Sequence, residues 1–83
     1  MSIPDRRLLD AGRIAAGMSY EELWLAYFAL GGLASARTIR SYLLYERPDP
    51  VTDAEYDLLA QAINDRFLER GQDHPVPFCR DLF

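Results

Sequence analysis

Hydrophobic positions recur along this chain with a helical period that is interrupted at glycine and proline, and the pattern predicts four helices. Pro4 and Asp5 suit the first turn of a helix and the positive end of its dipole. From there the first helix runs to about Ala16, with Leu8, Leu9, Gly12, Ala15 and Ala16 giving it a small-residue face. Gly17 is a natural left-handed stop. Ser19, Tyr20, Glu21 and Glu22 then read as a capping box that starts the second helix. Residues 23–30, LWLAYFAL, are all apolar or aromatic, so this helix shows almost no polar face over its last two turns and must be covered nearly all round. Trp24, Tyr27 and Phe28 do not easily all enter one core in so short a chain, so either the C-terminal tail packs over them or a second chain does. Gly31 and Gly32 end the helix.

Residues 35–48, SARTIRSYLLYERP, form the third element, and its two sides differ. Around Ile39 the 3.6-residue period gathers Ala36, Leu43 and part of Tyr42, and it sets Arg37, Ser41 and Leu44 opposite. Ser35 caps the amino end and Pro48 closes the element, giving roughly three turns. A helix of this size fits a DNA major groove, and the same residues equally suit a surface amphipathic helix in any small bundle. Thr52, Asp53, Ala54 and Glu55 form a second capping box and start the fourth helix. Tyr56, Leu59, Ala62, Ile63 and Phe67 share one of its sides, with Asp57, Gln61, Asn64 and Asp65 largely on the other and Gly71 as the stop. The remaining residues carry two prolines and read as an extended arm. No stretch alternates strongly enough for a sheet, so the fold class is all-α, helices joined by short turns.

Composition narrows the setting. The 83 residues suffice for one domain, and 49% hydrophobic with 27% charged residues is the balance of a folded soluble chain. Cys79 is the single cysteine, which excludes an internal disulfide and makes a reduced, cytoplasmic setting the expectation. No apolar run approaches a membrane span, and the first residues lack the order of a secretory signal. The formal charge of −4 opposes indiscriminate binding to nucleic acid, but its distribution is uneven. Residues 23–45 hold two arginines and no acid, while residues 46–57 hold five acids against Arg47.

Enzymatic constellations are thin. His74 is the one histidine, and no serine or cysteine has a placed base. Asp73, His74 and Cys79 match no established zinc spacing, so neither a metal nor any other cofactor is expected.

The order of these signals resembles the lambda repressor and Cro (Xre-type) helix-turn-helix family over roughly residues 6–66. The matching pieces are the first helix, the Gly17-Met18-Ser19-Tyr20-Glu21-Glu22-Leu23 start, Thr38-Ile39-Arg40-Ser41-Tyr42-Leu43, then Glu46-Arg47-Pro48, and finally 58–64, LLAQAIN. The chain departs from that pattern in an extension of about one helical turn between Ser19 and Ile39, and in Tyr45, which stands where the family has glycine. The resemblance implies a small four- to five-helix lambda-repressor-like helix-turn-helix domain over residues 1–71 with an extended C-terminal arm over 72–83. It implies a sequence-specific regulator of repressor or Cro type, of phage or prophage derivation, whose partner is double-stranded DNA. Arg37 and Ser41 would then face base edges, with Thr38 and Arg40 on the flanks. Ser35, Arg47 and the amino end of the second helix at Ser19 and Tyr20 would hold phosphates. A homodimer on a two-fold site is expected, made by the apolar surplus of the second helix or by the arm, with Trp24, Tyr27, Phe28, Phe78 and Phe83 as its candidate residues. The alternative keeps the fold and uses the same surplus to bind another protein, as an antitoxin-like or anti-repressor module.

Overall fold

The computed structural model describes residues 6–44, 52–72 and Val76. Four helices make up the described regular structure: α1 (Arg6–Ala15), α2 (Tyr20–Ala29), α3 (Ala36–Leu43) and α4 (Asp53–Glu69). The longest of them, α4, packs against α1 and α2, and α3 packs against the same two helices. The core is thus closed by four elements around Leu9, Leu23, Tyr27, Ile39, Leu43, Leu59 and Ile63, each almost wholly removed from water. No described helix is long and apolar enough to cross a membrane.

Each of the three inner helix starts has the predicted side-chain cap. Ser19 Oγ accepts the Glu22 N–H at 3.1 Å, and the Glu22 carboxylate accepts the Ser19 N–H at 2.9 Å, completing the capping box. That accepted N–H also holds the Glu22 carboxyl below its ordinary range. Ser35 Oγ accepts the Thr38 N–H at 3.1 Å. Thr52 Oγ1 accepts the Glu55 N–H at 3.2 Å, but the Glu55 carboxylate accepts a hydrogen bond from the Tyr27 hydroxyl, so the second predicted capping box is drawn into a tertiary contact. The stops of α1 and α4 are also where expected, whereas α3 ends at Leu43 with Leu44 as its C-cap, short of the three turns expected up to Pro48. At the end of α4, Gly71 takes φ +73° and lets the Gln72 N–H reach back to the Phe67 carbonyl at 2.9 Å, and Gly17 ends α1 with φ +71°.

Two further sequence-based expectations, on α1 and on α4, require correction. On α1 the inner face is Leu9, Gly12 and Ala16, while Leu8 and Ala15 are exposed, because a stripe of spacing three and four can take only one of two adjacent residues. On α2 the core takes Leu23 and Tyr27, Trp24 and Ala26 are half-buried, and Leu25, Phe28 and Leu30 are exposed, while the tail expected to pack over this helix lies, apart from Gln72 and Val76, outside the described residues. Asn64, placed on the polar side of α4 by its spacing, is buried. Its amide donates to the Val76 carbonyl at 2.9 Å and accepts the Val76 N–H at 3.1 Å.

That paired bond fixes Val76 against α1 and α4. The buried Val76 side chain lies where a Cβ at Gly12 would come within 2.6 Å of its Cγ2 and within 3.1 Å of Ile63 Cγ2. The glycine therefore makes room for a residue that follows the last helix. Asn64→Ala would strand a buried N–H and C=O, and it is expected to cost about 2–4 kcal/mol. Urea unfolding would measure that loss, and faster amide exchange at Val76 would place it.

Candidate nucleic-acid interface

The burial of Ile39, Tyr42 and Leu43 fixes which way α3 faces. Arg37 and Arg40 are exposed, while Thr38 and Ser41 are half-buried. Arg6 of α1 donates to the Tyr42 carbonyl at 3.1 Å, with its guanidinium 5.2 Å from the Tyr42 ring centre, so a cation braces the carboxyl end of α3. Ser35 Oγ both accepts the Thr38 N–H and donates to Thr38 Oγ1 at 3.1 Å, which commits these two hydroxyls to the cap.

The amino end of α2 lies alongside. A groove of about 390 Å³ is lined by Tyr20, Glu21, Ala36, Arg37, Arg40 and Ser41. A neighbouring hollow of about 310 Å³ is lined by Ser19, Tyr20, Glu21 and Arg40. Five of the eight candidate DNA-binding residues, Ser19, Tyr20, Arg37, Arg40 and Ser41, are therefore brought together. Ser35 and Thr38 do not line either hollow, and Arg47 lies outside the described residues, as does Tyr45.

Two charged residues join this site without having been singled out in the sequence. The Arg13 guanidinium stacks 4.0 Å from the centre of the Tyr20 ring, with Arg40 at 5.9 Å. Arg13 also donates to the Asp10 carboxylate and to the Met18 carbonyl, each at 2.8 Å, so it joins the end of α1 to the start of α2. A cation in the last turn before a glycine stop commonly reaches free carbonyls, and Arg13 stands in that position. The second is Glu21, an exposed carboxylate on the rim of both hollows, which opposes phosphate approach.

The turn between α2 and α3 is ordered by aromatic side chains of α2. The Tyr27 hydroxyl accepts the Ala34 N–H at 2.9 Å and donates to Glu55, while the Trp24 indole N–H donates to the Ala34 carbonyl at 2.9 Å. Both polar groups of Ala34 are thus held immediately before the Ser35 cap. Of the candidate interface residues, Tyr27 is core rather than surface, and Trp24 is half-buried and stacked on Phe28 with ring centres 5.2 Å apart. Phe28 is exposed, and Phe78 and Phe83 lie outside the described residues.

Burial pushes the Tyr27 hydroxyl above its ordinary value of 10.0, and its bond to the Glu55 carboxylate acts in the same direction. A raised folded pKa favours the protonated form, so this contribution to stability is complete below the unfolded pKa and is lost as pH rises through the folded one. Urea stability is expected to fall on alkaline titration above about pH 10, and Tyr27→Phe should lack this component of the fall.

Asp73, His74 and Cys79 lie outside the described residues, and among the described residues no three His, Cys, Asp or Glu side chains converge as metal ligands. No family model, curated protein or solved structure matches the chain.

Proposed function

We propose that this chain is a sequence-specific DNA-binding transcriptional regulator of helix-turn-helix type, in which α2 and α3 form the pair and α3 enters the major groove. The observation that carries this reading is the exposure of Arg37 and Arg40 on the outer side of α3, beside the amino end of α2. In that arrangement Arg37 and Ser41 read base edges, and Arg40 and the first N–H groups of α2 hold backbone phosphates. Tyr20, stacked on Arg13, forms the wall between the two helices.

The charge of −4 and the carboxylate of Glu21 make such binding selective for a shaped contact over long-range attraction. The test is binding of the purified chain to DNA fragments from its own gene neighbourhood, at two salt concentrations and with competitor DNA present. Specific complexes that weaken steeply with salt are expected, and no binding at low salt by a folded sample would overturn the reading.

A second reading, a protein-interaction module of antitoxin-like or anti-repressor type, is favoured by the exposure of Leu25, Phe28, Leu30 and Leu33 on the second helix and its following turn. An apolar contact of that kind differs in being nearly insensitive to salt.

A further inference from the structure

We infer that the hydrogen bond between Tyr27 and Glu55 is a latch through which the start of α4 sets the placement of α3, so that both residues are positioning residues for the surface α3 presents to DNA. The effect on DNA binding rests on the function proposed above; the hold on α3 does not. Glu55 stands three residues after the Thr52 cap, where a carboxylate ordinarily turns back to the cap N–H of its own helix. Here it takes instead the proton of a hydroxyl 28 residues away in sequence. A local bond given up for a distant one favours an arrangement of helices over the helix that carries it.

The phenol shows what that arrangement gains. Its one proton goes to the Glu55 carboxylate, which leaves the oxygen's lone pairs for the Ala34 N–H at 2.9 Å. Donation to an anionic acceptor polarises the O–H and makes the same oxygen the stronger acceptor, so the two bonds support each other. The ring cannot drift, being fully buried and closed against Gly32. Ala34 immediately precedes the Ser35 cap, so a displacement of its backbone passes to the first turn of α3. The turn that reaches it contains Gly31 and Gly32, which give the backbone little stiffness of its own. The Trp24 indole holds the Ala34 carbonyl, and Arg6 holds the Tyr42 carbonyl near the other end of α3. The eight residues of α3 are thus tied at both ends by side chains of other helices, and the tie through Tyr27 runs on to α4. Neither Trp24, Tyr27 nor Glu55 lines the hollows beside Arg37 and Arg40. They act on that surface through α3 without touching what it binds.

The experiment compares Tyr27→Phe, Glu55→Ala and Glu55→Gln in the full chain. The two Glu55 variants carry the same charge, and the glutamine carbonyl still accepts the Tyr27 hydroxyl, so their difference separates the hydrogen bond from electrostatics. Without DNA, amide exchange at Ala34, Thr38 and Ile39 should be about tenfold faster in Glu55→Ala than in the parent, and Glu55→Gln should restore most of the protection. Ile63, within α4, should change less, because the loss is local. Unchanged exchange at those three amides, or an acceleration no greater than that at Ile63, would overturn the inference. With DNA, the probe is the fragment of the gene neighbourhood that the parent binds best, at a temperature where circular dichroism shows every variant folded. Tyr27→Phe and Glu55→Ala should bind it about tenfold more weakly with the salt slope unchanged, because no phosphate contact is removed, and Glu55→Gln should recover the difference. Parental affinity in both Tyr27→Phe and Glu55→Ala would overturn the positioning role. A parent that binds no DNA would strike the function proposed above, and amide exchange alone would then decide whether the latch holds α3.

Discussion

Gly32→Ala is expected to destabilise the protein by about 3 kcal/mol, which for a domain of this size is a drop of roughly 12 °C or more in melting temperature. Gly32 does not require the left-handed backbone of the preceding Gly31, whose φ is +103°; its constraint is space. A Cβ at Gly32 would overlap the Cζ and both Cε atoms of the Tyr27 ring. Neither partner can yield cheaply. The Gly32 N–H is bonded to the Tyr27 carbonyl at 3.1 Å, and the ring is fully buried with its hydroxyl held by both Glu55 and Ala34. Gly31→Ala meets open space and is expected to cost only the backbone penalty, on the order of 1 kcal/mol. Thermal melts of the two variants separate steric from conformational causes. Combining Gly32→Ala with Tyr27→Leu should cost clearly less than the sum of the single changes, because removing the ring removes the overlap. A Gly32→Ala melting temperature within 2 °C of the parent would show that the Tyr27 packing does not fix this turn.

The same contact shows why some features were legible in the sequence and others were not. Caps and stops are local: Ser19, Ser35 and Thr52 each bond an N–H three residues on, and Gly17 and Gly71 take backbone angles that a single residue decides. The helix starts and the ends of α1 and α4 could therefore be read from adjacent letters, while α3 stops at Leu43, before the Pro48 that was expected to close it. The core-facing side of α3 was also legible, since Ile39 and Leu43 are four apart with arginines between and before them. On α2 the period carries no information because every residue from 23 to 30 is apolar, and the choice of Tyr27 over Phe28 is made by Gly32, Ala34 and Glu55, which lie elsewhere in the chain. Asn64 reads as surface for a related reason: its partner is a main-chain segment 12 residues away, and a polar residue is buried only when such a partner exists. The candidate site divides in the same way, with Arg37 and Arg40 found by period, and Arg13 and Glu21 found only once α1 and α2 are placed in space.

Arg37→Ala together with Arg40→Ala is the change expected to affect function most, abolishing specific DNA binding while leaving the fold intact. A bidentate arginine contact to a base contributes about 1–3 kcal/mol of discrimination, so losing Arg37 corresponds to roughly tenfold or more in affinity for the preferred site, and losing Arg40 removes a phosphate contact besides. Both side chains are exposed, and among the described residues neither forms an ion pair, so circular dichroism and melting temperature should hold to within the small range of surface substitutions. The single variants divide the roles. Arg40→Ala should lower the slope of log affinity against log salt by about one phosphate contact, whereas Arg37→Ala should relax preference at one base position. Arg66, which faces Glu22 at 3.7 Å on the α2–α4 side, is the control cation, and Arg66→Ala should leave DNA affinity nearly unchanged. Glu21→Gln acts in the opposite direction: it removes the carboxylate from the groove rim and should strengthen non-specific binding several-fold at low salt. Full affinity in the double arginine variant would remove α3 as the reading element. A loss matched by Arg66→Ala would mean that overall charge, rather than the groove beside Tyr20, governs binding.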